Sequence, residues 1–182
     1  MKKITYITGN KNKLEHFLRY ADFPIEHVDL DLAEIQSLDA EKIVEHKVKE
    51  AYKAVNKTVL VDDVSLTFNA LGKLPGPFIK WFLESMEPEG LCRLLDNYND
   101  RSAVASMIFA LYDGTTLKTF YGEMHGTIAE HPQGDGFGWT AIFIPNGYKK
   151  SYGEMSVEEH KKVAARRIAV EKLNEYLKEN EK

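Results

Sequence analysis

Residues 8–13, with the sequence TGNKNK, have the types that bind an anion. A short apolar segment precedes them, the chain turns at Gly9 and Asn10, and Lys11 and Lys13 open a segment with helical spacing. Free backbone N–H groups at a helix start favour an anion, and the lysines add full positive charges. The spacing is neither that of a P-loop nor that of the dinucleotide fingerprint. An ordinary strand–turn–helix with solvated lysines is the competing interpretation.

Two adjacent aspartates, Asp62 and Asp63, follow the apolar residues of "TVLV". Paired carboxylates at the end of a strand can hold Mg²⁺ and orient a water molecule, and ligands of α/β sheets bind outside such strand ends. Glu34, after another predicted strand, is a second candidate ligand. The competing interpretation places the pair in an exposed turn or a helix cap and Glu34 on an ordinary surface.

Cations and aromatic rings elsewhere in the chain would suit a nucleotide if the fold gathered them. The cations are Lys47, Lys80, Arg166 and Arg167. Each taken alone is expected on a solvated face. Phe137 and Trp139 lie in or beside the glycine-rich residues 134–138. Aromatic faces on such a loop can stack a nucleobase, or they fill the core beneath the loop.

Composition limits the classes of function. The 182 residues, 43% apolar and 29% charged, predict one folded domain. A net charge of -4 and a pI of about 5.9 exclude a general basic surface for nucleic acid, so phosphate binding must be local. One cysteine, Cys92, cannot form an intrachain disulfide. The first residues lack the apolar region of a signal peptide and the apolar runs are short, which predicts a cytoplasmic protein without a membrane contact.

The elements that must position these residues alternate between strand and helix in the first half. We expect a strand over residues 4–8, a helix after Asn10, a strand through Leu30 and Leu32, a helix capped by Asp39, and a strand that ends at the aspartates. This order predicts an α/β or mixed-sheet domain.

In the second half, strands cluster. Pro75-Gly76-Pro77 precedes a helix, and "EPEGLCRLLDNY" predicts a short second one. Two strands are expected around an Asp113-Gly114 turn, and "GWTAIFIP" predicts another. The last helix is expected to begin at Ser156, where Glu159 completes a capping box.

These pieces, in this order, resemble the inosine triphosphate pyrophosphatase family, which hydrolyses deaminated purine nucleoside triphosphates. The stretches "TGNKNKLEHF" and "DLAEIQ" are similar to its phosphate-binding start and its D-L-x-E-x-Q segment. The most specific match is "VLVDDVSLTFNALGKLPGPFIKWFLE". The stretches "GFGWTAIFIPNGY" and "SVEEHKKVAARRIA" are similar to its last two motifs, so the resemblance extends over nearly the whole chain.

The resemblance implies a single elongated domain over residues 1–182, with a central, strongly bent mixed β-sheet flanked by helices and two lobes around a nucleotide cleft. It implies a homodimer that acts on a small-molecule substrate. The implied reaction converts ITP, dITP or XTP and water to the monophosphate and pyrophosphate by attack at the α-phosphorus. The implied cofactor is Mg²⁺, with Mn²⁺ as a substitute.

The resemblance also assigns residues by position. Catalytic roles fall on Asp63, Asp62 and Lys13, with Asp63 as the base for the attacking water. Metal binding falls on Glu34 and Asp63. Nucleotide contacts fall on Thr8, Gly9, Asn10, Lys11, Asn12, Lys13, Lys47, Val64, Lys80, Phe137, Gly138, Trp139, Thr140, His160, Ala165 and Arg166.

The chain departs from the family pattern mainly among the residues that read the base. Thr140 replaces an aspartate, His160 replaces a lysine, and Ala164-Ala165 replace the Ser-His that precedes Arg166. Lost hydrogen bonds to a substrate's polar edge weaken discrimination by orders of magnitude. We therefore expect an intact triphosphate and metal half with relaxed or redirected base specificity. A catalytically weak nucleotide-binding relative is the remaining alternative.

Overall fold

The computed structural model describes residues 3–134 and 136–180. Within these ranges the chain forms seven strands and five α-helices. The strands are β1 (Ile4–Ile7), β2 (Ile25–Val28), β3 (Val59–Phe68), β4 (Pro75–Gly76), β5 (Ser102–Tyr112), β6 (Leu117–Ile128) and β7 (Phe143–Pro145). The helices are α1 (Lys11–Leu18), α2 (Ala40–Val55), α3 (Ile79–Arg93), α4 (Val157–Val163) and α5 (Ala165–Glu179). No helix within the described residues is both long and apolar enough to cross a bilayer.

The strands form one mixed sheet in the order β2-β1-β3-β5-β6-β7, with β4 paired to β3. β1 runs parallel to β2 and to β3, and Tyr6 of β1 is in register with Leu60 of β3. β4 pairs antiparallel with β3, and β7 pairs antiparallel with β6. The predicted central mixed sheet with flanking helices is therefore confirmed.

The chain divides into two compact units. The first unit comprises Met1–Asp63, Met107–Gly122 and Ala165–Lys182, and the second comprises Val64–Ser106 and Glu123–Ala164. In the first unit, buried residues of α2 such as Val44 and Val48 pack with Ile7, Val61 and Ile108 of three strands. This core fixes the positions of β1 and β3, from which the site described below is built.

Helix starts agree with the sequence signals. Asn10 caps α1 by accepting a hydrogen bond from the backbone N–H of Lys13, and Asp39 caps α2 in the same way. Ser156 and Glu159 form the expected capping box at α4. These caps satisfy N–H groups that a helix start leaves without an intrahelical partner.

Two strand ends differ from the sequence prediction. β3 does not end at the aspartates but continues to Phe68, so Asp62 and Asp63 lie in the middle of a ten-residue strand. The prediction was wrong because it took two polar residues as a strand end, whereas Asp62 is buried beside partners that are distant in sequence. β2 ends at Val28, and Leu30 packs against the core of the first unit outside the strand.

Two other elements also differ in detail. The first half of the expected strand at "GWTAIFIP" is a 3-10 turn, Gly138–Ala141, because Gly138 has φ of +61° and directs the chain into a tight turn. The predicted last helix is broken at Ala164, where ψ is 117°, into α4 and α5. In α3 the chain is interrupted at Glu87, before Pro88, which agrees with the two helical segments expected there.

Candidate active site

Asp62 of β3 is the centre of a buried charge cluster in the first unit. Its side chain is only 2% exposed. Its Oδ1 accepts a hydrogen bond of 2.7 Å from the Tyr6 hydroxyl. Its Oδ2 lies 3.0 Å from Nζ of Lys13 and 4.0 Å from Nη1 of Arg166. We call these four residues the Asp62 cluster.

The Asp62 cluster keeps its carboxylate ionised. Burial disfavours the charged form, but the charges of Lys13 and Arg166 outweigh burial and hold the pKa of Asp62 at about 2. Burial and the Asp62 charge raise the pKa of Tyr6 well above its ordinary value, so the hydroxyl stays a donor. Asp62 is therefore a fixed anion that anchors two cations and is poorly suited to accept a proton.

Asp63, the next residue along β3, has a pKa that is shifted in the opposite direction from that of Asp62. Burial raises its pKa to about 6, against the charges of Lys13 and Lys47 and with the help of the charges of Asp62 and Glu34. Its Oδ2 is buried and has no hydrogen-bond partner among the described residues. A carboxylate with a raised pKa and a free oxygen beside cations has the properties of a general base.

Lys47 of α2 lies beside these carboxylates, and its predicted contact with the nucleotide stays a prediction. Its Nζ donates hydrogen bonds to Oε1 of Glu34 and, at 3.3 Å, to the backbone carbonyl of Asp62. Although burial opposes its charge, Asp62 and Glu34 raise the pKa of the Lys47 ammonium. The first unit thus brings Lys47 to the Glu34 carboxylate and the Asp62 backbone, with the charge of Asp63 near enough to act on its ammonium.

The donor set here fits a magnesium ion. Glu34 is close enough to Asp63 to raise its pKa, and Oδ2 of Asp63 is a buried oxygen without a hydrogen bond in the described part of the chain. Within residues 3–134 and 136–180 no group of three or more metal-binding side chains occurs. Mg²⁺ commonly takes one or two carboxylates together with water and substrate phosphates, so two carboxylates suffice.

The anion-binding stretch connects β1 to α1. Thr8 accepts a 3.2 Å hydrogen bond from the backbone N–H of Asn10, and Oδ1 of Asn10 accepts one of 3.1 Å from that of Lys13. Asn10 is extended, with φ of -99°, so it caps the helix and does not occupy a left-handed turn. Lys11 and Asn12 are exposed in the first turn of α1. A Cβ at Gly9 would lie 3.0 Å from Oδ1 of Asp29, which favours glycine there.

The two arginines of α5 point to different partners. Arg166 faces Asp62, and its guanidinium lies 5.8 Å from the centre of the Phe109 ring. Arg167 forms hydrogen bonds of 2.7 and 2.8 Å with the carboxylate of Glu171, one turn along the same helix. Arg166 is therefore the arginine of the site, which the sequence left open.

In the second unit, three rings form a stack that we call the ring stack: Trp139, Tyr152 and His160. The Trp139 and Tyr152 ring centres are 6.2 Å apart with an interplanar angle of 24°, and those of Tyr152 and His160 are 4.3 Å apart at 19°. Nε2 of His160 donates a 2.6 Å hydrogen bond to the backbone carbonyl of Tyr152. Phe137 is 76% exposed, so it does not fill the core.

Other predicted nucleotide contacts have local partners. The Thr140 hydroxyl donates to the carbonyl of Phe137 at 2.6 Å. Lys80 is exposed on α3, 3.9 Å from Glu84 and over the ring of Trp81. Val64 is half-buried in β3, Gly138 begins the 3-10 turn, and Ala165 is buried at the start of α5. Lys161, next to His160, donates to Glu158.

Sequence reasoning missed three residues. Tyr6 holds Asp62, Phe109 lies beneath Arg166, and Tyr152 is the middle ring of the ring stack. Tyr6 carried a usable signal, because a tyrosine inside a short buried strand needs a partner for its hydroxyl. Phe109 and Tyr152 carried none, since their roles depend on contacts with residues distant in sequence.

The fold and these motifs recur in known proteins. The Ham1 family model matches residues 4–176. The Ham1 protein of Staphylococcus aureus is 27% identical, has a TM-score of 0.83 and aligns over 99% of this chain and 100% of its own. A HAM1 protein of Coxiella burnetii is 25% identical, has a TM-score of 0.86 and aligns over 98% and 100%.

A third solved structure shares the fold at lower identity. It is a nucleoside-triphosphatase / dITP/XTP pyrophosphatase from Mycobacterium abscessus, 24% identical, with a TM-score of 0.77 over 94% of this chain and 98% of its own. The chain belongs to the Ham1 family. The predicted relationship to the inosine triphosphate pyrophosphatases, a family of nucleoside triphosphate pyrophosphatases, is thereby confirmed.

Proposed function

We propose that this protein hydrolyses noncanonical purine nucleoside triphosphates, ITP, dITP and XTP, to the monophosphate and pyrophosphate. The observation that carries the proposal is the pair of adjacent aspartates with opposite electrostatics. Asp62 is held ionised by Lys13 and Arg166, whereas Asp63 has a pKa of about 6 and a free buried oxygen. Environments that push two neighbouring carboxylates apart in pKa are typical of acid–base sites.

In the proposed reaction, water attacks the α-phosphorus and pyrophosphate leaves. Asp63 accepts the proton of the attacking water, for which a pKa of about 6 leaves the carboxylate largely ionised at neutral pH. Lys13 neutralises negative charge on the phosphates, and the N–H groups at the start of α1 bind their oxygens. Lys47 adds a second positive charge, and it donates to the Glu34 carboxylate and to the Asp62 backbone carbonyl.

Glu34 and Asp63 are the residues that would hold Mg²⁺, with Mn²⁺ as a substitute. When bound, the metal neutralises phosphate charge and lowers the pKa of a coordinated water. The support is the donor set: two carboxylates close enough to interact, one with a buried oxygen lacking a hydrogen bond. Inosine-nucleotide hydrolysis that is unchanged in EDTA would contradict this part of the proposal.

For the base, we propose the ring stack of the second unit as the stacking surface. Stacking is tolerant of base identity because every base has a π-face. His160 uses its Nε2 on the Tyr152 carbonyl and Ala165 has no polar side chain, so neither supplies the hydrogen bond of the residue it replaces. These observations favour a second candidate function, a pyrophosphatase with relaxed base specificity.

Side-by-side kinetics on ITP, XTP, dUTP and the four standard nucleotides separate the two candidates, with products identified chromatographically. Monophosphate and pyrophosphate in equal amounts are expected. Release of orthophosphate and a diphosphate would contradict the proposed reaction. A strong preference for ITP over GTP and ATP would support the first candidate and exclude relaxed specificity. Tight ITP binding without any product would favour a nucleotide-binding relative. Homodimerisation, a cytoplasmic location and a single functional domain stay predictions.

A further inference from the structure

The Tyr6 hydroxyl has no role in the function proposed so far. Tyr6 is fully buried in β1, and its ring packs against Phe17 at 4.6 Å and Phe109 at 6.2 Å between ring centres. Its hydroxyl donates the 2.7 Å hydrogen bond to Oδ1 of Asp62. The ring accounts for the packing, which a phenylalanine would preserve. The hydroxyl is therefore left to interact with the charges beside it, through the hydrogen bond to Asp62 and electrostatically with Arg166.

Because of this hydrogen bond, the two carboxylate oxygens of Asp62 have different partners. Oδ1 is occupied by Tyr6, which leaves Oδ2 to face Lys13 at 3.0 Å and Arg166 at 4.0 Å. Oδ2 is buried and makes only ionic contacts, without hydrogen-bond geometry, among the described residues. A hydrogen bond at one oxygen disfavours rotation of the carboxylate, so it also restrains the position of the other oxygen.

Lys13 is the cation for which that position matters most. Its ammonium is paired with a buried anion, yet 26% of the side chain is exposed, so Lys13 borders the solvent from which a ligand would arrive. The backbone of Lys13 is also fixed, since its N–H is bound by the cap residue Asn10. Both ends of the side chain are thus restrained before any ligand binds, which lowers the entropy lost on binding.

We propose that Tyr6 is a positioning residue, whose hydroxyl orients Asp62 so that Asp62 holds the Lys13 ammonium in place for a polyphosphate. The proposal deepens the function proposed above and rests on its assignment of Lys13 to the triphosphate. Tyr6 itself touches no substrate. It acts through Asp62, which sets the position of the Lys13 ammonium of α1.

The test compares Tyr6→Phe with a matched control, Tyr112→Phe. Tyr112 lies in the same unit and donates a 2.9 Å hydrogen bond to the carbonyl of Gly114, remote in sequence from the Asp62 cluster. Calorimetric titration with inorganic tripolyphosphate measures the phosphate site without requiring turnover. We expect about five- to tenfold weaker binding in Tyr6→Phe, because Lys13 is then less restrained before the ligand binds, and a change below twofold in Tyr112→Phe.

Binding stoichiometry distinguishes positioning from damage to the fold. A positioning role changes the dissociation constant and leaves one tripolyphosphate bound per folded chain, whereas a merely structural role lowers the bound fraction at an unchanged dissociation constant. Equal dissociation constants for Tyr6→Phe and wild type would overturn the proposal, as would a wild-type protein that does not bind tripolyphosphate. Wild-type protein that binds tripolyphosphate but releases no pyrophosphate from nucleotides refutes the proposed function alone, and the Tyr6 comparison still decides this inference.

Discussion

The Asp62 cluster of the first unit and the ring stack of the second unit are held together by different kinds of contact. The Asp62 cluster restrains its cations on a buried anion, through contacts of 2.7 to 4.0 Å that involve β1, α1, β3 and α5. The ring stack is half-exposed and depends on ring faces, with one hydrogen bond from His160 to backbone.

The difference indicates where specificity can change. Removing one partner from a buried ionic cluster leaves another charge unpaired, which is costly, so such a cluster tolerates few substitutions. A stack of ring faces loses little when a neighbouring polar residue is replaced. The departures from the family pattern at Thr140, His160 and Ala165 fall outside these buried ionic contacts.

The largest expected effect contrasts two adjacent aspartates. Asp62→Asn leaves Lys13 and Arg166 facing a neutral group and should lower the free energy of unfolding by about 3–5 kcal/mol. Asp63→Asn should raise the free energy of unfolding at pH 8 by about 1–3 kcal/mol, because the folded state disfavours the Asp63 charge. Urea denaturation of both variants measures this, and equal destabilisation by the two would contradict the assigned environments.

The two aspartates should also affect the pH dependence of stability in opposite directions, because their pKa values are shifted in opposite directions. The pKa of Asp62 is lowered to about 2, so its contribution is present above pH 3.8 and is lost as the pH falls toward 2. The pKa of Asp63 is raised to about 6, so its penalty is absent below pH 3.8 and develops as the pH rises through 6. In metal-free buffer, the advantage of Asp63→Asn over wild type should therefore disappear near pH 4.

Metal binding sharpens the comparison, because both proposed ligands, Glu34 and Asp63, belong to the first unit. Mg²⁺ at a hundredfold excess over its dissociation constant should stabilise wild type by about 2.7 kcal/mol relative to EDTA. Glu34→Gln should lose most of this shift, since it removes one carboxylate. Thermal denaturation at matched ionic strength measures it, with the exposed Asp96→Asn as control. An undiminished shift in Glu34→Gln would exclude Glu34 as a ligand.

Trp139→Ala tests whether the ring stack binds the base and not the phosphates. Loss of a stacking face should raise the KM for ITP by about tenfold, while the dissociation constant for inorganic tripolyphosphate stays unchanged. Tyr98→Ala, which removes an exposed ring from the same unit, serves as control. A matching loss of tripolyphosphate affinity in Trp139→Ala would show that the two regions do not act separately.

The smallest expected effect comes from restoring the family lysine in His160→Lys. The change removes the His160 hydrogen bond to the Tyr152 carbonyl and returns a cation to α4, so the ratio of kcat/KM for ITP over GTP should rise by about two- to fivefold. Lys161→Ala should leave this ratio unchanged, because Lys161 donates to Glu158. A ratio that does not respond to His160→Lys would remove that position from base selection.

Sequence reasoning recovered most of the elements, and it singled out Lys13, Asp62 and Arg166, which the fold brings together. Local signals sufficed for the elements: Asn10 and Asp39 are strong helix caps, and the spacing of Val44 and Val48 defines a buried helix face. The aspartates were found as a pair, but their position in mid-strand was not, because the burial of Asp62 depends on Tyr6, 56 residues away.

The distinct roles of the two aspartates could not be predicted either. Neighbouring residues of the same type differ only through what surrounds them, and Arg166 reaches Asp62 from a helix more than a hundred residues later. The turn at Gly138 was also missed, since apolar residues after it gave a strand pattern that the positive φ of the glycine overrides.

The central claim is that Asp63 is the base of a nucleoside triphosphate pyrophosphatase. The most direct measurement is pyrophosphate release from ITP, XTP, dUTP and the four standard nucleotides with Mg²⁺, for wild type, Asp63→Asn and the control Asp96→Asn. We predict release by wild type and the control, and a loss of about 10²–10⁴-fold in Asp63→Asn, which stays folded. Release by Asp63→Asn at the wild-type rate, or none by wild type from any nucleotide, would contradict the claim.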